Sequence, residues 1–404
     1  MDDLGAVLKS ARPRALAALR RLAGELSRAE DAFQDAAEQA LEHWPKDGLP
    51  DNPAAWLVQV GRRRLIDWAR RDRFSSPLEE EPAQDSAEPA NPLLEDDLLR
   101  LVFTCCHPAL APDAQAALTL KVIAGLPTED VAQAFLVPVR TMEQRLTRAR
   151  SKLRNAGIPF RVPAERELPE RLDVVLAVVY LIFNQGYSPR RLTTTEPRLC
   201  REAIWLARLL RGLFPGNPEL TGLLALMLFH HARHNARVTA SGLLVPLPEQ
   251  DRGSWDRRMI AEASTLLRHV LGKGAPGPYQ TQAAIAALHC EAANAHDTDW
   301  QQIAALYAVL ERQQPSPVVT INRAVALGKA GAAAAGVALL ETLKGEPALD
   351  TYVPFWLACS ELERLTGNRA TAARCHRQAI SLTVSEAERQ LLESEHQRLF
   401  SSDD

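Results

Sequence analysis

Arginine is the residue type through which this chain could act on a polyanion. Arg62, Arg63, Arg64, Arg70, Arg71 and Arg73 fall in one short stretch. Arg140, Arg145, Arg148, Arg150 and Arg154, with Lys152, fall in another. A guanidinium is always charged, and its planar fork matches a phosphate or the edge of a guanine. Trp56 and Trp68 are interleaved with the first group. Such aromatics either stack on unpaired bases or belong to a core. Thr141 and Gln144 stand within the second group, where Arg and Gln can read base edges and the flanking cations hold phosphates. A third set is acidic: Asp31, Gln34, Asp35 and Glu38 share one side of a helical stretch. That side is either a docking face or an ordinary solvated one.

Helices must position all three sets. Ala29 to Trp44 is amphipathic, with Phe33, Ala37, Leu41 and Trp44 read as its apolar stripe. Pro45 to Asn52 reads as a loop broken by Gly48 and Pro50. Asn52 can cap the next helix, Pro53 suits its first position, and that helix runs to about Arg73. Farther on, Pro127-Thr128-Glu129-Asp130 opens a short helix, with Thr128 as the cap and acids in the first turn. A tight turn at Leu136-Val137-Pro138 follows, and Pro138 starts another helix. There Val139, Met142, Leu146, Ala149 and Leu153 recur at three- and four-residue steps and form the buried stripe. The polar faces carry Arg140, Thr141, Gln144, Arg145 and Arg148. This is the pattern of a helix-turn-helix with a DNA-recognition helix.

Bulk properties narrow the field. The chain has 404 residues, enough for two or three domains, and is 46% hydrophobic with only 5% aromatics, a mix dominated by helix-favouring Ala and Leu. Net charge is -3, so any affinity for nucleic acid must come from local segregation of charge. The N-terminus, Met1-Asp2-Asp3-Leu4, has no basic stretch leading into an apolar run. The apolar run Val174 to Phe183 is too short to cross a membrane, which takes about 20 residues. A cytoplasmic protein without a membrane partner is expected.

Motifs for other chemistry are weak. His230 and His234 share a helix face, but a zinc peptidase needs Glu after the first His, and His231 stands there. Adjacent Cys105 and Cys106, with His107, lack two further ligands for a tetrahedral structural site and read as buried thiols. Cys200, Cys290, Cys359 and Cys375 are scattered. No Gly-rich phosphate loop is present. No cofactor, no metal and no enzymatic activity are expected.

Together the segments resemble the sigma-70 family, extracytoplasmic-function subfamily. Ala29-Glu30-Asp31-Ala32-Phe33-Gln34-Asp35 resembles region 2.2, which docks on the polymerase clamp. Asn52-Pro53-Ala54-Ala55-Trp56-Leu57 with Arg62-Arg63-Arg64-Leu65-Ile66-Asp67 resembles regions 2.3 and 2.4, which open and read the -10 element. Leu126 to Ala132 with Thr141 to Arg150 resembles region 4.2, which reads the -35 element; Leu136 stands where the family's turn more often has Gly. The resemblance implies polymerase contacts at Asp31, Gln34, Asp35 and Glu38. It implies -10 contacts at Trp56, Arg62, Arg63, Arg64, Arg70 and Arg71. It implies -35 contacts at Arg140, Thr141, Gln144, Arg145 and Arg148. Core RNA polymerase and promoter DNA are the implied partners.

The remainder narrows the group. Phe103-Thr104-Cys105-Cys106-His107-Pro108, Tyr180 to Tyr187, Glu249-Gln250-Asp251-Arg252 with Trp255-Asp256, Gly277-Pro278-Tyr279-Gln280 and Pro315 to Val319 resemble the sigma group with a C-terminal tetratricopeptide-like extension. Two helix-turn-helix hairpins centred on Gly331 and Gly367 lie 36 residues apart, near that repeat's period. An all-α protein follows. Sigma region 2 is expected at 1–74, an acidic Pro-rich linker at 75–92 and the region 4 helix-turn-helix at 93–157. A helical regulatory domain is expected at 158–404, tetratricopeptide-like in its second half and able to bind a regulatory protein. Two rivals remain: a DNA-binding regulator independent of polymerase, and an enzyme in the C-terminal half.

Overall fold

The computed structural model describes residues 2–73, 91–135, 137–187, 196–237, 245–384 and 386–400. Among these residues there are eighteen α-helices and no strand. The chain forms two compact units, Met1–Leu213 and Phe214–Asp404. Most of the acidic linker expected at 75–92 lies outside the described residues; Asn91 and Pro92 already open a helix. No described helix is long and apolar enough to cross a membrane.

The first unit contains α1 (Asp2–Ala23), α2 (Leu26–Asp47), α3 (Pro53–Arg73), α4 (Asn91–Cys105), α5 (Pro112–Val122), α6 (Thr128–Ala134), α7 (Val139–Asn155), α8 (Leu168–Tyr187) and α9 (Glu196–Leu213). Helix α1 is central and packs against α2, α3 and α4. Its run Ala15 to Leu19 is entirely buried, which the burial of apolar surface favours strongly. Gly61 lets α3 come in close: a Cβ there would lie 2.9 Å from the Leu19 side chain and 3.1 Å from the Ala32 carbonyl. Helix α8 packs along α9 and also against α4 and α5, burying Val175, Leu176, Val178, Val179, Ile182 and Phe183.

Two boundaries differ from the sequence reading. Helix α2 continues through Pro45 to Asp47 and stops at Gly48, whose φ of 88° suits glycine. A proline in the last turn removes a single bond, so the helix survives it. At α6 the cap position is Pro127, at φ -54° and ψ 150°, and Thr128 is already helical. The extended Pro127 supplies the helix entry that Thr128 was expected to supply, with no side-chain cap bond.

The second unit is a chain-ordered array. It contains α10 (Pro218–Ala232), α11 (Arg257–Val270), α12 (Pro278–Glu291), α13 (Trp300–Gln313), α14 (Pro317–Lys329), α15 (Ala333–Glu341), α16 (Val353–Leu365), α17 (Arg369–Leu382) and α18 (Glu386–Phe400). Helices α13 to α18 pack mainly on their neighbours in sequence, as in helical repeat proteins, whereas α10 and α12 pack most extensively on each other. The hairpins around Gly331 and Gly367 are α14–α15 and α16–α17, and both glycines have positive φ. Ile321, Ala324, Leu340, Leu349, Phe355, Ala358 and Leu362 form a core between the first hairpin and α16.

Candidate nucleic-acid interface

Helix α7 presents the clearest interface. Met142, Leu146, Ala149 and Leu153 are buried and seat it on the domain. Val139, expected in that stripe, is the first helical residue and is 39% exposed. Arg140, Thr141, Gln144 and Arg148 are all exposed. They therefore lie together on the face turned from the core. Arg145 differs: it is half-buried, its guanidinium lies 5.6 Å from the centre of the Phe135 ring, and Nη1 is 3.7 Å from Asp113. It ties α7 to α5 and the end of α6. Leu136, in the turn, lies outside the described residues.

The far flank of α7 is also engaged. Arg150 Nη2 donates to both carboxylate oxygens of Glu30, at 3.2 and 3.0 Å. Arg154 Nη1 donates to Glu25 Oε1 at 2.7 Å. Both acids belong to the beginning of α2. Arg20, Glu25, Thr147, Arg150, Ser151 and Arg154 line an open cavity of about 500 Å³ at this seam. Sequence shows the opposite charges on the two helices but not their pairing.

Helix α3 is held differently. Asn52 Oδ1 accepts from the Ala55 amide at 3.1 Å, and Pro53 is the first helical residue, as expected. Arg63 and Arg70 are exposed, while Arg62 and Arg64 are half-buried. Arg64 Nε lies 2.5 Å from Asp35 Oδ2, and its guanidinium lies 5.2 Å from the Trp68 ring centre. A residue assigned to DNA thus pairs with one assigned to polymerase. Trp56 is half-buried, with its ring edge-on to buried Trp44 at 5.4 Å, so one part belongs to the core and the rest reaches the surface. Arg71 lies within α3, but its side chain is outside the described residues.

On α2, Asp31, Gln34 and Glu38 are exposed and Asp35 is half-buried. Gln34 also bonds Glu38, at 3.4 Å. The apolar stripe is displaced from the expected one. Ala29, Ala32, Phe33, Ala36, Ala40 and Trp44 are buried, whereas Ala37 is half-buried and Leu41 is 53% exposed. Steps of four residues advance about 40° around a helix, so Phe33, Ala37 and Leu41 walk off the buried arc. The small alanines are what α1 and α3 close upon.

Helices α4, α8 and α9 brace the interface. Asp97 is buried, with Arg21 Nε at 2.8 Å and Arg100 Nη1 at 3.3 Å. Burial pushes its carboxyl up, against the pull of Arg21 and Arg100. Arg171 Nη2 donates to the Phe103 carbonyl at 2.6 Å. Lys9 Nζ meets Glu202 at 2.5 Å, and Arg198 pairs with Asp130. These links join α1, α4 and α6 to α8 and α9.

The remaining motifs hold the fold. Cys105 and Cys106 are buried, and burial pushes Cys106 up to about 11. His230 is half-buried, accepts from Arg233 at 3.0 Å, and is kept neutral by desolvation and by Arg233 and Arg237. Glu219 accepts from the Tyr279 and Gln280 amides, at 2.8 and 3.1 Å, at the start of α12. Arg252 Nη1 donates to the carbonyls of His289 and Ala292, at 2.6 and 2.9 Å, and stacks on Trp255 at 4.6 Å. A carboxylate at one end of α12 and a guanidinium at the other oppose its macrodipole. Asp256 Oδ1 caps α11 by accepting from the Met259 amide at 3.0 Å.

Comparison with known proteins agrees with this architecture. Residues 7–74 match sigma-70 region 2, residues 100–153 match sigma-70 region 4, and residues 171–271 match a family of unknown function, DUF6596. An uncharacterized protein of Rhizobium meliloti (strain 1021) is 43% identical over 401 residues, covering 96% of this chain and 94% of that one. The probable ECF RNA polymerase sigma factor SigI of Mycobacterium tuberculosis (strain ATCC 25618 / H37Rv) is 28% identical over 160 residues, or 37% of this chain and 54% of SigI. The ECF RNA polymerase sigma-E factor of Escherichia coli (strain K12) is 28% identical over 136 residues, or 33% and 68%. No solved structure matches. With both sigma segments in order, relatives of that kind and a helical array behind them, the chain belongs to the sigma-70 family, in its extracytoplasmic-function group, and carries an extra C-terminal domain.

Proposed function

We propose that this chain binds core RNA polymerase and directs promoter-specific initiation, without catalysing a reaction itself. The observation that carries the reading is α7: its apolar stripe is buried while Arg140, Thr141, Gln144 and Arg148 are exposed together. Such a face suits the major groove of the -35 element, with Arg and Gln for base edges. Arg63 and Arg70 of α3 suit the -10 strand, with Arg62, Arg64, Arg71 and Trp56 beside them. Asp31, Gln34 and Glu38 suit a basic surface on the polymerase clamp; Asp35 contributes by holding Arg64.

We assign regulation to the segment behind the sigma regions. Its first two helices, α8 and α9, reach α1 through Lys9–Glu202, α4 through Arg171 and α6 through Arg198–Asp130. The pairs of Arg150 and Arg154 with α2 further support a closed free form that polymerase must open. A regulatory protein seated on the helical array is a second route to the same control.

The test is run-off transcription with purified core polymerase, full-length chain and a library of promoter fragments. A discrete set of transcripts that depends on this chain is expected. Absence of both core binding and transcripts, with specific duplex binding retained, would establish the polymerase-independent regulator instead. Reversing Asp31 and Glu38 to Lys should lower core affinity at unchanged helicity.

A further inference from the structure

Six cysteines are distributed over the two units, and four of them are buried in helix packing. Burial pushes the Cys105 thiol well up, and pushes Cys106 and Cys290 up to about 11. Cys200 donates to the Phe183 carbonyl. Buried thiols of this kind are poor nucleophiles and out of reach of oxidant.

Cys359 and Cys375 are different. Both are only partly buried, and they stand on α16 and α17, the antiparallel arms of one hairpin. They lie equally far from Gly367, whose φ of 84° makes the turn. At a rise of about 1.5 Å per residue, both therefore sit roughly 12 Å along their helices from that turn, at the same level. The two helices pack along each other, and each thiol is the largest influence on the other's ionisation. This closeness holds the ionisation of Cys359 up and draws that of Cys375 down; Arg374 and Lys344 act in the same direction on Cys375, while burial and Glu363 oppose.

We propose that Cys359 and Cys375 form an oxidisable dithiol that a hydroperoxide converts to a reversible disulfide bridging α16 and α17. The Cys375 thiolate attacks one peroxide oxygen, the O–O bond breaks, and the departing oxygen leaves as water or as an alcohol. Cys375 is then a sulfenic acid. The Cys359 sulfur attacks it, losing its proton; the S–S bond forms, the S–O bond breaks, and a second water leaves. Two thiols have lost two electrons and one peroxide has gained them. A dithiol reduces the bond again by exchange. The proposal concerns the second unit alone and is independent of the sigma reading.

The test uses the full reduced chain, freed of reductant, exposed to hydrogen peroxide and then alkylated with iodoacetamide. Non-reducing peptide mapping should yield the Cys359–Cys375 linked peptides, abolished by dithiothreitol. The other four cysteines should be alkylated only after denaturation. Cys359→Ser should leave Cys375 as a sulfenic acid trapped by dimedone. Cys375→Ser should slow peroxide-dependent thiol loss in the native chain at least about tenfold. Recovery of Cys359 and Cys375 as free thiols from peroxide-treated wild-type protein would overturn the site, and this result needs no variant to fold. A Cys375→Ser chain that reacts as fast as wild type would overturn the assignment of the attacking thiol.

Discussion

In the first unit, ion pairs reach across the sequence: Lys9 meets Glu202, Arg21 meets Asp97, and Arg150 meets Glu30. In the second, the spans are shorter: Arg323 of α14 meets Glu311 of α13, and Lys329 of α14 meets Glu361 of α16. The array needs only helices one or two places apart to agree, so its polar motifs serve as caps and short-range braces. The sigma segments are instead held by distant partners, and the same charges are candidates for DNA and polymerase. On the proposed reading this surface binds a polyanion, and its cations need neutralising while it is free. Glu25, Glu30 and Asp35 do this for Arg154, Arg150 and Arg64.

The largest test of this contrast is how far a core defect spreads. Leu19 and Leu362 are both fully or nearly fully buried. Leu19→Ala and Leu362→Ala should each cost about 3 kcal/mol. Hydrogen exchange should accelerate across α1 to α4 in the first variant, but only over α14 to α17 in the second. Spread of the second defect throughout Phe214–Asp404 would remove the quasi-linear picture.

Acid should act on the second unit through His289. Burial, with Arg233 and Arg252, draws its pKa down to about 4 from the ordinary 6.5. The unfolded chain then binds more protons between those values, so stability is complete above about pH 6.5 and falls as pH drops toward 4, by up to roughly 3 kcal/mol. Thermal melts of the full chain across that range, compared with His289→Gln, measure it. An equal pH slope in the variant would clear His289 of the effect.

A smaller difference separates the exposed face of α7 from its anchored flank. Gln144→Ala should leave stability within about 0.5 kcal/mol and change preference at one -35 position by about 1–3 kcal/mol. Arg145→Ala should instead lower stability of the helix-turn-helix, because Phe135 and Asp113 lose their partner. Binding to a panel of single-base promoter variants, alongside denaturant melts, distinguishes the two.

The smallest expected effect on stability is at the seam. Glu25→Gln with Glu30→Gln removes pairs that are partly exposed, so each should change stability by no more than about 1 kcal/mol. Freed Arg150 and Arg154 then become available to phosphates. DNA binding should strengthen, and the slope of log affinity against log salt should steepen by about 2. An unchanged slope would mean that these arginines serve the seam alone.

Much of the local structure follows from sequence. Asn52 and Pro53 start α3, Gly331 and Gly367 turn the hairpins, and Met142, Leu146, Ala149 and Leu153 define the buried side of α7. Each depends on one residue's backbone preference or on the helical period, and the chain carries both in consecutive positions. The order of the sigma segments is legible for the same reason. Which cations remain free is not. Arg64, Arg145, Arg150 and Arg154 look like their exposed neighbours until α2, α5 and α6 fold against them. Leu41 and Val139 look like core until the folded chain leaves them exposed. Cys359 and Cys375 look scattered until the turn at Gly367 brings their helices side by side. Periodicity determines which residues share a helix face; what that face meets depends on contacts between distant segments, and those exist only in the folded chain.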